Sequence, residues 1–314
     1  MKTDSFYGIV NERRLGRERL MNSSVRVFGY AKINLHLDMT GRLENGYHAV
    51  NTVMQTISLC DEVAITLRED EKIFATCNVS GVPTDEKNLA VRAALLLREA
   101  IGASVGAEIR IQKTIPMAAG LAGGSADAAA TLVGLNRLLG EPCSEKELCA
   151  IGSRLGADVP FCIVGGTRFA DGKGDVLHSF PKMPDCAMVV ACEGEGVSTP
   201  WAYRRLDETF GNFEEAFGYL PKSVEPLKQA LTENNLQGIA ETMFNIFEAP
   251  VLAERPVAAE LRSLFLSAGA LGAMMSGSGP SVFAIFASEA DAENAVDLLQ
   301  KKGYRGFLCH PITP

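Results

Sequence analysis

The sequence predicts an α+β chain of two domains, the first built on a mixed sheet with helices. Three observations carry this expectation. The chain has 314 residues, enough for two ordinary domains or one large one. Runs of alternating apolar and polar residues recur between segments of helical periodicity. A glycine-rich loop sits between one such strand and an alanine-rich helix, in "IPMAAGLAGGSADAAATLVGLN" from Ile115 to Asn136.

The elements follow in order. "SVRVFGYAKINLHLDMTG" alternates and reads as a strand, with a break expected near Gly29. "YHAVNTVMQTISL" and "EVAITLRE" read as two further strands. "DEKNLAVRAALLLREAIG" places Leu89, Ala93, Leu96 and Leu97 at helical spacing and stops at Gly102. "GAEIRIQKTI" alternates again and leads into the loop, with the alanine helix expected to begin near Ser125. "CSEKELCAIGSRLG" carries a capping box, Ser144 with Glu147, and ends at Gly156. "PFCIVGGTRFA" and "GDVLHSF" read as a hairpin around "DGKG". "CAMVVAC" reads as a buried strand, followed by helices over 224–233, 236–247 and 257–268. "LGAMM", a "SGSGP" turn, "SVFAIF", the helix "SEADAENAVDLLQKKG" and a strand "YRGFLCH" close the chain. The boundary between the halves is weakly marked and falls near 181–184. Residues 1–21 have no apolar core for a secretory signal and carry acids that a transit peptide avoids, so they read as a poorly ordered extension.

Composition narrows the function. A net charge of -8 and a pI of about 5.2 argue against nucleic acid or an anionic membrane as the main partner. They leave room for a phosphorylated ligand, which backbone amides and one lysine can hold. No apolar stretch reaches membrane-spanning length. The eight cysteines show no CxxC spacing and lie partly in apolar runs, which suits reduced thiols in a cytoplasmic protein. The four histidines show no metal-ligand spacing.

The loop from Pro116 to Ser125 offers bare backbone. Pro116, Ala118, Ala119, Gly120, Ala122, Gly123 and Gly124 are small or lack a bulky tip, and only Met117 and Leu121 are large. Such a segment at a helix start points its amides at an anion, and Ser125 can cap the helix or offer a hydroxyl to a phosphate or a cation. Asp127 falls near the positive end of the helix dipole. The alanines after it, with Ala126, keep the helix thin enough to lie close on a sheet. The loop matches neither a Walker A nor a dinucleotide fingerprint. Tight packing remains the other reason for glycines in this place.

The combination is more specific than any part. "PMAAGLAGGSADAA" resembles the central motif of the GHMP kinases, the family of galacto-, homoserine, mevalonate and phosphomevalonate kinases. "YAKINLHL" resembles the family's first motif and "MMSGSGPSVFAIF" its third, in the family's order. "GRLENGYHAVNTVMQTISLCDEV" and "LGADVPFCIVGGTRFADGKGD" are similar to the branch whose acceptor alcohol carries a diphosphocytidyl group. The resemblance spans all but the first 21 or so residues. It implies an ATP-binding domain over 22–182, and over 183–314 a substrate-binding domain with a ferredoxin-like α/β sandwich. It implies ATP as phosphoryl donor, magnesium with it, and a small alcohol as acceptor.

Residue by residue, the resemblance makes Asp158 the catalytic aspartate and Lys32 the active-site lysine, with Asn34 beside it on the same strand face. Locally, Asp158 could be an exposed loop carboxylate and Lys32 a solvated strand lysine. Tyr47 and His48 of "GYH" would take the cytosine ring and its polar edge, and Tyr203 would close the other side of a slot about 7 Å wide. Tyr47 alone would read as a turn aromatic. Residues 116–126 would cradle the phosphates. Asn88 and Lys113 match adenine-contacting positions, although Asn88 could simply cap a helix and Lys113 could be surface charge. Gly277, Ser278 and Gly279 would support the loop and hold the acceptor's diphosphate. Ala118, Ala119 and Ala122 stand where many members have glycine, and Ala126 where many have a second serine. No second acidic residue is clearly placed to hold magnesium. Other small-alcohol kinases and a non-catalytic nucleotide-binding relative are the competing readings. Whether the chain is a monomer or a homodimer is open.

Overall fold

The computed structural model describes residues 23–44, 46–210 and 219–312. The extension expected over 1–21 lies outside these. The first sheet is seeded by two long antiparallel strands, β1 (Ser24–Arg42) and β2 (His48–Arg68). The break expected at Gly29 is instead a register shift between Tyr30 and Lys32, so β1 continues through it. The two strands read from 48 to 68 likewise fuse into one, because Asp61 is buried rather than exposed in a turn. A strand not read from the sequence, β3 (Ile73–Cys77), pairs in parallel with β4 (Gly106–Gln112), and helix α1 (Leu89–Ile101) lies between them in sequence. Glycine 102 ends α1 at φ +63, as its position suggested.

The alanine helix α2 (Gly123–Leu138) is buried from Ala126 to Asn136. Its thinness is used. A Cβ at Gly29 of β1 would stand 2.7 Å from the Ala126 carbonyl oxygen, so strand and helix meet backbone to backbone. Helix α3 (Glu145–Ser153) carries the expected capping box at Ser144 and Glu147. The run "PFCIV", expected in a hairpin strand, belongs to a short helix α4 (Asp158–Val164). A short apolar run cannot separate the two states, and Pro160 is tolerated in a first helical turn. The hairpin itself follows as β5 (Thr167–Asp171) and β6 (Val176–Ser179), with β5 paired to β2.

The second sheet holds β7 (Ala187–Ala191), β9 (Gly272–Met275), β10 (Val282–Phe286) and β11 (Gly306–Cys309) in the order β11-β7-β10-β9, all antiparallel. Helices α9 (Pro256–Ser267) and α10 (Glu289–Lys301) pack on it through Ala258, Leu261, Phe265, Ala292, Ala295 and Leu299. This is the ferredoxin-like arrangement expected for the latter half. Between β7 and α9 run α5 (Thr199–Phe210), α6 (Glu225–Thr232), α7 (Leu236–Thr242), the two-residue β8 (Phe244–Asn245) and α8 (Glu248–Leu252). The helix read over 236–247 therefore stops at Thr242. Phe244 and Asn245 leave it to pair with His36 and Leu37 of β1, which carries the second half of the chain onto the first sheet.

Candidate active site

Where the two sheets meet, a cavity of about 650 Å³ opens between the glycine loop, β1, the start of α4, the N-terminal turns of α5 and the "SGSGP" turn. Lys32, Asn34, Asn88, Lys113, the loop from Pro116 to Ser125 apart from Leu121, Asp158, Tyr203, Gly277 and Ser278 line it. Lys32 and Asp158, 126 residues apart in sequence, thus reach one space.

Strand alternation aims Lys32 and Asn34 into the cavity, while Ala31, Ile33 and Leu35 join the core. The bulge at Ala31 turns the Lys32 amide away from β2, and it donates to the Leu121 carbonyl at 3.2 Å. Lys32 is 4% exposed. Its ammonium donates to Asn34 Oδ1 at 2.7 Å and to the Gly120 carbonyl at 3.0 Å. Asn34 Nδ2 donates to Thr52 Oγ1, which donates in turn to the His36 carbonyl, each at 2.8 Å. The mechanism implied by the resemblance puts the Lys32 and Asp158 side chains within about 4 Å of each other, directly or through one water. No ion pair within 4.0 Å joins the two; the Lys32 ammonium is turned instead to Asn34 and Gly120. Asp158 opens α4 as its first residue, where the helix dipole favours its charge.

The loop departs from expectation in one detail. Helix α2 begins at Gly123, its N-cap is Ala122 at φ +57, and no side chain caps it. Ser125 is therefore the third helical residue rather than the cap. Without a capping side chain, the first-turn amides stay available, which is what an anion site needs. Asp127 sits a turn deeper than a dipole contact requires. It is buried and ion-paired to Lys113 at 2.8 Å.

Lys113 was expected at the adenine. Its side chain is only 6% exposed and is held between Asp127 and the fully buried Asp61. Asp61 Oδ1 also accepts the Thr114 and Ile115 amides at 2.5 and 2.8 Å, so one carboxylate fixes both the lysine and the entry to the loop. Burial, opposed by Lys113 and reinforced by Asp61, lifts the Asp127 carboxyl above the usual carboxylate range. Sequence reasoning missed Asp61. The sequence shows Asp61 only as one of two adjacent acids, with Glu62, inside an otherwise apolar strand run, and nothing there tells the buried one from the other. Asn88 caps α1: its Oδ1 accepts the Ala90 amide at 2.9 Å, and its Nδ2 donates to the Pro83 carbonyl at 2.8 Å.

The third motif forms the cavity's opposing turn. Gly120, at φ +77, approaches Ser276 so closely that a Cβ would lie 2.0 Å from its carbonyl oxygen. Ser276 Oγ donates to the Gly120 carbonyl at 3.1 Å, and Asn245 Nδ2 donates to the Met275 and Gly277 carbonyls, both at 2.8 Å. Ser278 Oγ lies 3.3 Å from Thr199 Oγ1. Gly279 shapes the turn without lining the cavity.

The aromatic end also departs from expectation. The ring stacked on Tyr203 belongs to His48, with centroids 4.6 Å apart and planes at 19°. Tyr47, expected to face Tyr203 across a slot about 7 Å wide, is 63% exposed and does not line the cavity. Asp207, one turn along α5 from Tyr203, explains the preference. Its Oδ1 lies 2.9 Å from His48 Nε2, and its Oδ2 accepts from Arg42 at 2.7 Å. Nothing local in the sequence linked Asp207 to the strands it meets.

A lysine and an aspartate facing uncapped helix amides is an arrangement for moving a phosphoryl group onto a hydroxyl. Family comparison agrees. The GHMP kinases N terminal domain matches residues 88–166 and the GHMP kinases C terminal domain residues 211–305, and the chain belongs to the GHMP kinase family. Within it, the chain is similar to proteins named 4-diphosphocytidyl-2-C-methyl-D-erythritol kinase. It is 40% identical over 271 residues to that of Caldicellulosiruptor saccharolyticus, covering 86% of this chain and 91% of the relative. To that of Acetivibrio thermocellus it is 40% identical over 291 residues, covering 92% and 99%. A crystal structure of 4-(cytidine 5'-diphospho)-2C-methyl-D-erythritol kinase superposes with a TM-score of 0.76 at 31% identity, covering 92% of this chain and all of that one. Homoserine kinase from Cytophaga hutchinsonii, at 23% identity and a TM-score of 0.72 over 96% of this chain and 98% of its own, shares the fold.

Proposed function

We propose that this chain phosphorylates the 2-hydroxyl of 4-diphosphocytidyl-2-C-methyl-D-erythritol with ATP, a step of isoprenoid precursor biosynthesis, in the cytoplasm. The observation that carries the reading is the meeting of Lys32, Asp158 and the open amides of the α2 start in one cavity. Residues 22–182 serve as the ATP-binding domain and 183–314 as the substrate-binding domain.

The chemistry follows from that meeting. The acceptor hydroxyl attacks the γ-phosphorus of ATP, the bond to the β-phosphate oxygen breaks, and ADP leaves. Asp158 accepts the hydroxyl proton as the new bond forms. The Lys32 ammonium, held by Asn34 and Gly120, places positive charge beside the developing alkoxide. Amides of the loop and of the first turn of α2 take the donor phosphates. ATP chemistry calls for magnesium. Among the described residues no group of three His, Cys, Asp or Glu side chains converges to hold a metal. No described helix is long and apolar enough to cross a membrane.

His48, Tyr203 and Asp207 favour a nucleobase-bearing acceptor over a small hydroxy acid, since Tyr203 lines one end of the cavity and is backed there by the His48 imidazole, which Asp207 holds in place. The test is phosphotransfer from ATP to the diphosphocytidyl alcohol, homoserine and mevalonate in parallel. Turnover of the first alone is expected. Turnover of homoserine or mevalonate instead would replace the acceptor, and turnover of none, with nucleotide bound, would point to a non-catalytic relative.

A further inference from the structure

Lys173 lines the cavity but belongs to none of the three family motifs. It stands on the turn between β5 and β6, and that turn is fastened to β2: the Val50 amide donates to the Gly172 carbonyl at 2.8 Å. Position along β2 gives the turn its meaning. His48, Val50 and Thr52 alternate along one face of the strand. His48 meets Tyr203 at one end, and Thr52 meets Asn34, the partner of Lys32, at the other. At roughly 3.3 Å per residue, His48 and Thr52 are about 13 Å apart and Val50 is midway. A molecule with its base at His48 and its reacting hydroxyl at Lys32 and Asp158 must lay its middle beside Val50.

For the proposed acceptor, that middle is the diphosphate. The other ammonium groups on the cavity wall are committed or distant. Lys32 is bonded to Asn34 and Gly120, Lys113 lies between Asp61 and Asp127, and Lys87 is exposed beside Asn88 on the loop that precedes α1. Lys173 is committed only to Asp175, its neighbour on the same turn, at 3.3 Å, and its side chain is 41% exposed. A pair this open to water is worth little and exchanges easily for a better anion. We infer that Lys173 binds the diphosphate of the acceptor substrate, leaving Asp175 to do so, and thereby selects acceptors that carry phosphate between the base and the alcohol. This rests on the reading of the acceptor given above.

The experiment compares the full-length chain with Lys173→Ala and Lys173→Arg. With Mg-ATP and the diphosphocytidyl alcohol, Lys173→Ala is expected to raise KM for the alcohol about tenfold, with kcat and the KM for ATP within twofold. Lys173→Arg keeps the charge and should restore KM to within about threefold. Direct titration separates a phosphate contact from a packing effect: CDP should bind about tenfold more weakly to Lys173→Ala, while cytidine binds it as well as it binds the parent. An unchanged KM, or equal losses for CDP and cytidine, overturns the inference. A rise in the KM for ATP instead would assign the lysine to the donor. If the parent chain itself fails to use the diphosphocytidyl alcohol, the acceptor reading falls first, and the CDP and cytidine titrations still judge Lys173.

Discussion

Lys32 and Asp158 differ in how much structure leans on them, and their variants should differ accordingly. Lys32 is buried and supplies protons to two oxygens, so Lys32→Ala leaves Asn34 Oδ1 without its donor and the Gly120 carbonyl with Ser276 Oγ alone. That should cost about 1–3 kcal/mol of stability along with a fall in kcat. Asp158 faces the cavity at a helix start and is not part of that network. Asp158→Asn should lower kcat by roughly 10²–10⁴ while the melting temperature and ATP affinity hold. Full activity in Asp158→Asn would remove it from the reaction. A second residue-scale test concerns His36, which the mechanism does not use. It is 1% exposed, its Nε2 has no hydrogen-bond partner, and burial, with Lys222 adding to it, lowers its pKa from 6.5 to about 4. A depressed pKa in the folded state stabilises the fold above pH 6.5, and that contribution is lost as pH falls towards 4. At about 1.4 kcal/mol per unit, the loss reaches roughly 3 kcal/mol. Chemical denaturation of the parent and of His36→Leu between pH 7 and 4 should show the variant losing less by about that amount. Parallel curves would show that His36 does not titrate as stated. At this scale the sequence marked Lys32, Asp158, His48 and Tyr203 by their motifs. It could not mark Asp61 or Asp207, whose partners lie 52 and 159 residues away.

Among elements, the glycine loop shows what alanine does in a glycine's place. Ala118 and Ala122 hold φ +51 and +57, a region that costs a residue with a Cβ about 1–2 kcal/mol. The loop keeps this conformation because its carbonyls are taken from both sides. Ala118 accepts from the Val197 amide at 3.2 Å, Ala119 from Ser281 at 3.2 Å, and Ala122 from Ala126 at 2.8 Å. Ala122→Gly should relieve the N-cap of α2. Glycine's greater freedom in the unfolded chain offsets part of the gain, which leaves about 0.5–1 kcal/mol of stabilisation, measured by denaturant melts. Destabilisation by Ala122→Gly would mean that the alanine methyl contributes packing that outweighs its strain. Long periodic elements such as β1, α1 and α2 were legible because many side chains vote for the same state. The short ones, α4 and β8, were not. "PFCIV" is apolar throughout and has no period to read. Phe244 and Asn245 are a strand only because β1 offers them an edge.

At the scale of the molecule, the cavity exists because two halves of the chain close on each other at a seam with no room for a Cβ at Gly120. The first half brings Gly120, whose carbonyl accepts from Lys32 and from Ser276 Oγ. The second brings the turn from Ser276 to Gly279, held from behind by Asn245 of β8. The three motifs could be read as neighbours only by resemblance, since nothing in local pattern says that residue 120 touches residue 276. Gly120→Ala tests the seam directly. Its φ of +77 is poor for alanine, and the new methyl would start 2.0 Å from the Ser276 carbonyl oxygen, a backbone atom that cannot swing aside. Relief requires the loop and the turn to part. Parting them breaks the Ser276 contact and shifts the carbonyl that holds Lys32, so stability and kcat should fall together. A loss of at least 2 kcal/mol and of 10²-fold or more in kcat is expected, on the scale of overpacking and of a catalytic group misplaced by about 1 Å. Gly277→Ala is the control across the same seam. Its Cβ would stand 2.9 Å from the Gly120 carbonyl oxygen and 3.2 Å from Lys32 Nζ, the far end of a flexible chain, so its effect should be clearly the smaller in both measurements. If Gly120→Ala melts and turns over like the parent, or if Gly277→Ala is the more damaging, the two halves do not meet at Gly120 in the way that places Lys32 beside the phosphates.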